Sequence, residues 1–274
     1  MKTNRRAFLG TVGAGLLSSR LARAQGQASG SAPPIPRRKA KTTPLFKSPE
    51  GYPNAIAATQ DGLWIAEQKS DNAHLVDWNG KVLKSVKTES KNTSGMAVGG
   101  GYIWMGANAA PQGIFQTDMT SKTVSHRQIP LGPPENGGGC HGLEYDDGKL
   151  WIAALRLGGI LRVDPTTWTP EVLIRVSSDE RPRLHDVAFD NDENIWVVTG
   201  NNSTSYAEGK AGLNKYDGKT GQLVMTIEFE PGSCDPHGLV WHDGRLVSCD
   251  AGIHPGWKGK ESPHTAYIFA IDIV

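Results

Sequence analysis

CHGLEYDDGKLWIAALRLGGILRVDPTTWTPEVLIRV, from Cys140 to Val176, decides the fold. It holds four short apolar runs separated by turn chemistry. HGLEY is followed by Asp147-Gly148 and KLWIAA. A loop at Gly158-Gly159 leads to ILRVD, and a Pro-Thr turn to EVLIRV. Alternating runs of about five residues joined by Asp-Gly are a strong hairpin signal. Four antiparallel strands in a unit that recurs predict a β-propeller blade.

Working outward, four more copies align beneath it. Trp64, Trp104, Trp151 and Trp196 open the second strand, and Val247 takes that place in the fifth copy. Asp77, Asp118, Asp164, Asp217 and Asp272 close the third. Successive members of the tryptophan column lie 40, 47, 45 and 51 residues apart, matching the roughly 40–50 residues of one blade. The tryptophans are expected to fill the space between blades, and the aspartates to bond their own backbone in the turn to strand four. The fifth copy ends at Val274 without a fourth strand, while TPLFK (Thr43–Lys47) is a strand without a blade. The reading is an all-β, five-bladed propeller over 43–274, its last blade completed by the N-terminal strand, which closes the ring and removes two exposed edges.

Ahead of it, residues 1–24 carry Arg5-Arg6-Ala7-Phe8-Leu9, an apolar stretch from Thr11 to Leu17, and Ala22-Arg23-Ala24. This is a twin-arginine export signal with a small-x-small cleavage site, which places the mature protein in the periplasm or outside the cell. A membrane anchor is the other reading, but the run is well short of the ~20 residues a span needs. Residues 25–42 are rich in Gly, Ser, Ala, Pro and basic side chains and read as a flexible linker. Loss of the five cations of the leader takes the net charge from +1 to −4. No basic footprint of a nucleic-acid binder remains. Of the three cysteines, Cys234 and Cys249 are the better placed for a disulfide.

The repeat also locates chemistry. Ten residues before each tryptophan-column position, eleven in the fourth copy, stand Asn54, Ser94, His141, His185 and His237. They begin the innermost strands and ring one mouth of the channel. Three residues after the column stand Glu67, Ala107, Ala154, Thr199 and Asp250. Hairpin register makes Asn54–Glu67 and His237–Asp250 direct cross-strand pairs, ~5 Å apart at Cβ. From tryptophan column to aspartate column the spacing is 13, 14 and 13 residues, then 21 and 25. The extra residues open on the same face, as binding insertions of repeat proteins do. Asn54, Asn201, Tyr206, His254, Trp257 and Lys258 are the candidate walls of a small-molecule pocket.

Neutral imidazole is the commonest ligand for zinc, copper and iron, and three protein ligands with an open position is a catalytic arrangement. On this reading His141, His185 and His237 hold a divalent metal, and Glu67 or Asp250 moves a proton. Asp250 is alternatively the group that orients His237. Equally, a histidine at a fixed place in every blade can be structural, bonding backbone at the strand start. His74, His126 and His242 fall on outer strands or turns and read as solvated.

DGLWIAEQKSDNAHLVDWNGK and HDVAFDNDENIWVVTG resemble repeats of the streptogramin lyase (virginiamycin B lyase) family and of gluconolactonase-like propellers. The resemblance covers about residues 50 to 274. It implies a metal with a His/Glu site at the channel mouth, opening a cyclic ester by elimination or hydrolysis. The lyases use histidine, glutamate and magnesium in a seven-bladed ring, so five blades is a departure. Glu67 and the strand-start histidines carry over. The gluconolactonase group favours a Glu/Asn/Asp calcium site, which Glu67, Asn54 and Asp250 resemble, but three histidines are foreign to it. Plant-type glutaminyl cyclases are five-bladed and similar in size, though their repeats are not found here. Two functions follow: an exported metal-dependent lyase or lactone/ester hydrolase using zinc, iron, copper or magnesium, or a non-catalytic propeller that binds a ligand or protein.

Overall fold

A computed structural model describes residues 34–131, 140–176, 183–200, 211–252 and 261–274. The leader, most of the linker, and the candidate pocket residues Asn201, Tyr206, His254, Trp257 and Lys258 lie outside the described residues. Within them the chain is all strand apart from turns and a short 3-10 segment, Leu155–Leu157. No helix among the described residues is long and apolar enough to cross a membrane.

The first sheet runs β2 (Pro53–Thr59), β3 (Gly62–Glu67), β4 (Asn72–Val76), β5 (Val82–Lys87). The second runs β6 (Thr93–Gly99), β7 (Tyr102–Ala107), β8 (Gly113–Thr117), β9 (Thr123–Arg127). The third runs β10 (Cys140–Asp146), β11 (Lys149–Ala154), β12 (Gly159–Asp164), β13 (Thr169–Arg175). Each is four-stranded, antiparallel and in sequence order. The β10–β11 hairpin turns on Asp147 and Gly148, both at positive φ (47° and 74°), the conformation a two-residue hairpin demands.

The remaining strands form one eight-stranded sheet. In it β14 (Arg183–Phe189), β15 (Ile195–Gly200), β16 (Ala211–Tyr216) and β17 (Leu223–Phe229) are followed by β1 (Arg37–Lys47), β20 (Tyr267–Ile273), β19 (Arg245–Cys249) and β18 (Leu239–His242). The strand expected over Thr43–Lys47 pairs with β20 from Ala40↔Ile273 to Lys47↔Tyr267. It starts at Arg37, inside the stretch assigned by composition to the linker. Its first residues add in parallel to β17 (Arg37↔Thr226 to Ala40↔Phe229) and so fuse two four-stranded units. Basic side chains do not prevent this. On an outer strand they stand in water while the backbone pairs.

Five apolar clusters lie between successive units, each holding one member of the tryptophan column. Trp64 packs with Met96 and Met105, Trp104 with Leu143 and Ile152, and Trp151 with Val187 and Val197. Trp196 packs with Leu239 and Phe269, and Val247 with Ile56 and Ile65. All five column residues are at most 5% exposed. Correspondingly β2 touches β6, β6 touches β10, β10 touches β14, β14 touches β18, and β18 touches β2. The packing thus returns to its start. The aspartate column does as its spacing predicts in four units: Asp77 Oδ1 accepts from the N–H of Asn79 and Lys81, both at 2.9 Å, and Asp118, Asp164 and Asp217 act likewise. Asp272 has no such turn, because its outer neighbour comes from the other end of the chain. It accepts from Thr43 Oγ1 at 2.8 Å instead.

Cys140, Cys234 and Cys249 are buried free thiols, so the expected Cys234–Cys249 disulfide is absent. Burial pushes all three thiols up, Cys234 to about 12.

Candidate functional site

Each innermost strand begins with an irregularity that hairpin counting misses. Pro53 faces Glu67 and Ala55 faces Ala66, so Asn54 is an extra residue. Ser94 is extra in the second sheet. His141-Gly142 together oppose the single Ala153, and His185-Asp186 the single Val198. These are β-bulges, which re-aim a side chain and end the ladder. The expected Asn54–Glu67 pair is therefore replaced by Pro53↔Glu67. His237 follows the same displacement: its N–H donates to the Cys249 carbonyl at 3.0 Å, and ladder pairing starts only at Leu239. His237 and Asp250 are not a cross-strand pair.

Asn54, His141 and His185 reach toward the next unit, while His237 bonds its own loop. Asn54 Nδ2 donates to the Thr93 carbonyl at 3.1 Å and to Ser94 Oγ at 2.9 Å. His141 Nδ1 bonds the Leu184 carbonyl at 3.0 Å, the position equivalent to Thr93 one unit further on. His185 Nδ1 bonds the His237 carbonyl at 3.1 Å, and His237 Nδ1 the Asp235 carbonyl at 3.2 Å. A carbonyl accepts only, so Nδ1 carries the proton in all three rings and the neutral form has its lone pair at Nε2. Asn54 is thus a buried latch between sheets rather than a pocket wall.

The three rings are neighbours. Their centroids are 4.8 Å apart for His141–His185 and 4.6 Å for His185–His237, with interplanar angles of 49° and 73°. Two imidazoles on one ion, at ~2.0 Å per metal–nitrogen bond, would have centroids ~4.5–5 Å apart. Each neighbouring pair matches that spacing. Yet no group of three or more His, Cys, Asp or Glu side chains among the described residues is disposed to hold a metal ion. The row is two pairs sharing His185, not three ligands about one point.

Glu67 and Asp250 are turned to backbone. Glu67, 1% exposed, accepts from the N–H of Tyr52 at 2.7 Å and of Glu50 at 3.3 Å. Asp250, fully buried, accepts from the N–H of Asp235 and of Gly252, both at 2.9 Å, and from Ser262 Oγ at 2.6 Å. Both pin the loop ahead of their own innermost strand. Desolvation raises both carboxyls, Asp250 to about 6 with help from the neighbouring Asp235 charge. The His237 ring nitrogen that Asp250 was expected to orient is held by the Asp235 carbonyl instead.

Two acids here escaped the sequence reading. Asp186, wholly buried, accepts from the N–H of Val187 and of Leu239, both at 2.8 Å, and from that of Leu143. It ties β14 to the strands that follow His141 and His237. Desolvation raises its carboxyl well above the usual range. Desolvation also pushes the nearby Glu144 up to about 8. One signal could have found Asp186. The residue after each latch is Ala55, Gly95, Gly142, Asp186 and Gly238. Asp186 is the one charged member of a small-residue column, and Gly142 makes room for it: a Cβ there would stand 1.9 Å from Asp186 Oδ1.

The outer histidines divide. His126 is exposed and stacks on Phe115, and His242 stacks on Trp78. His74, read as solvated, is 5% exposed and bonded at both nitrogens, to Ser85 Oγ and Glu50 Oε1.

No protein-family model matches the sequence, and no curated protein matches it. Solved structures do share its fold. Glutaminyl cyclase of Myxococcus xanthus superposes with a TM-score of 0.60 at 12% identity, over 88% of this chain and 98% of that one. Hydrazine synthase of Kuenenia stuttgartiensis gives 0.51 at 14%, over 84% and 64%. Inactive H270A virginiamycin B lyase of Staphylococcus aureus, solved with quinupristin, gives 0.46 at 15%, over 84% and 69%, too distant to carry an argument. At such identities the likeness is one of fold: the chain is β-propeller-like.

Proposed function

We propose that the chain is a five-bladed propeller, its fifth blade closed by β1, and an exported enzyme acting on a small oxygen-rich molecule as a lyase or a lactone/ester hydrolase. The closed succession of five innermost strands supports the blade count. The reactive centre in this reading is the row His141, His185 and His237. The observation that carries it is the shared Nδ1 bond to a carbonyl. It fixes one tautomer in three adjacent rings and gives each a basic Nε2, the protonation state both a general base and a metal ligand require. A divalent ion bound by neighbouring imidazoles would supply Lewis-acid polarisation of a carbonyl or carboxylate oxygen. The chain's own part is to hold the rings in register through Asp186 and the latch bonds. Glu67 and Asp250 keep the flanking loops in place.

A second reading rests on Asn54. It makes the bond His141 makes without an imidazole, so the column can serve blade-to-blade cohesion alone. On that reading the protein is a non-catalytic binding propeller. Asparagine substitution separates the two, because the amide keeps the latch and removes Nε2. Calorimetric titration of the purified protein with Zn²⁺, Co²⁺, Mn²⁺, Mg²⁺ and Ca²⁺ is the measurement. Binding that weakens about 10–100-fold in His185→Asn, with the melting temperature retained, supports the first reading. No binding by the wild type, or binding indifferent to His185→Asn, overturns the metal and leaves the second. Export is checked by fusing residues 1–24 to a reporter that is active only after twin-arginine transport.

A further inference from the structure

On the first sheet, away from the histidine row, His74 on β4 stands directly opposite Ser85 on β5. Its Nδ1 is 2.8 Å from Ser85 Oγ, and its Nε2 is 3.1 Å from Glu50 Oε1. Glu50 Oε1 is held in turn by Asn72 Nδ2 at 2.7 Å. The imidazole is buried and the serine is exposed. A hydroxyl within reach of a base that is itself oriented by a third group is the signature of an activated nucleophile.

The strand geometry adds an anion-stabilising donor. Thr88 N–H bonds the Asp71 carbonyl, so 71–88 is a hydrogen-bonded pair. Pairs alternate along an antiparallel ladder, and His74↔Ser85, three steps on, is a non-hydrogen-bonded pair. Such pairs bring side chains closest, which explains the short cross-strand contact. They also turn the backbone N–H away from the partner strand. Because β5 is the last strand of its sheet, Ser85 N–H faces the open edge beside its own Oγ. Lys87, two residues on, lies on the same face as Ser85. The exposed Val82 and Leu83 supply apolar surface nearby.

We propose that Ser85, His74 and Glu50 form a second site, a serine acyl-transfer centre for small carboxylic esters with short apolar acyl groups. His74 Nδ1 takes the proton of Ser85 Oγ as the oxygen bonds to the ester carbonyl carbon, and the oxyanion accepts a hydrogen bond from Ser85 N–H. Collapse expels the alkoxide, which takes the proton from His74 and leaves as alcohol, with the acyl group on Ser85. Water then gives a proton to His74 and its hydroxide adds to the acyl carbon. Ser85 Oγ leaves, recovering that proton, and the acid is released. Nε2–H donates to the Glu50 carboxylate throughout. Burial works to raise that carboxyl, but hydrogen bonds from Ser70 and Asn72 and the His74 ring outweigh it and hold Glu50 below its ordinary value, so it is charged at neutral pH.

The full-length purified protein is treated with a fluorophosphonate and mapped by peptide mass spectrometry. In parallel, hydrolysis of p-nitrophenyl acetate is followed in the presence of EDTA. One adduct per chain on Ser85 is expected, with the adduct and the EDTA-resistant rate both lost in Ser85→Ala, whose melting temperature is measured alongside to confirm that it is folded. The rate should fall about 10²-fold or more in His74→Gln, and less in Glu50→Gln. No adduct on Ser85 of folded wild type, or a rate equal in Ser85→Ala, overturns the proposal. So does a rate abolished by EDTA, which would move the chemistry to the histidine row.

Discussion

Replacing Asp186 tests whether the histidine row is held by a buried carboxylate. Its oxygens accept three N–H groups, from Leu143, Val187 and Leu239, on three consecutive units, and no water reaches them. Asp186→Ala abandons all three. At about 1–3 kcal/mol for each buried unsatisfied donor, the gross loss is about 3–9 kcal/mol. Against this stands the relief of no longer burying a carboxylate, whose raised pKa shows that its ionised form is disfavoured. The net cost is about 2–5 kcal/mol, a large part of the stability of an ordinary domain. Asp186→Asn keeps one acceptor but sets an NH₂ against an N–H, so it should fall between Ala and wild type. Urea unfolding followed by the fluorescence of the eight tryptophans measures both. An Asp186→Ala midpoint within 1 kcal/mol of wild type, by the urea slope, would falsify the claim that these N–H groups depend on it.

Three further outcomes follow from the same geometry. The folded pKa of Asp250, about 6, lies above its ordinary 3.8, so the folded state binds the proton more tightly. This group's contribution is greatest below about pH 4, is lost as pH rises to about 6, and is flat beyond. Asp250→Asn should remove that slope, of order 3 kcal/mol, from urea midpoints taken between pH 4 and 7, and an unchanged slope would refute it. Asn54→Ala breaks two buried bonds and should cost about 1–3 kcal/mol, while Asn54→His, which can copy the His141 latch, should recover at least half; equal losses in the two would count against the latch. Gly142→Ala drives a Cβ into Asp186 Oδ1 and should destabilise by more than about 2 kcal/mol in the same assay.

What was legible from the chain alone was whatever recurs by type. A tryptophan every 40 to 47 residues, with Val247 in its place in the last copy, and an aspartate closing each third strand mark positions where one side chain is needed for one geometric reason. The space between sheets must be filled, and a turn must be bonded. The closing strand was legible because the last copy lacked its fourth. Its true start at Arg37 was not, since composition records where side chains are comfortable and not where backbone pairs. The same limit hid the bulges. An extra residue leaves no mark in hydrophobic alternation, and counting through Asp-Gly turns shifted Asn54 and His237 by one place, which put the carboxylates beside side chains they do not meet. His74 was misread for a related reason: the outer strand told of solvent, but Glu50 reaches it from a loop 24 residues earlier.

The two columns at the strand starts have to be read together. A latch side chain crosses to the next unit only if the residue after it lets the neighbouring strand come close. Gly142 meets that demand beside His141, where an added Cβ would lie 1.9 Å from Asp186 Oδ1, and Gly95 and Gly238 allow equally close approach, 1.8 and 2.7 Å, beside residues that bond their own loops. Asp186 breaks the rule and fills the space that Gly142 vacates with the acceptor the adjacent N–H groups require. Cohesion between units is therefore carried by the dipeptides that begin at Asn54, His141 and His185, whereas Ser94 and His237 bond within their own loops. Asparagine at 141 or 185 is expected to keep the bond to the next unit, whereas a change at Gly142 or Asp186 is expected to move the rings. On the proposed function, activity should accordingly be more sensitive to Gly142 and Asp186 than their distance from any reacting atom would suggest.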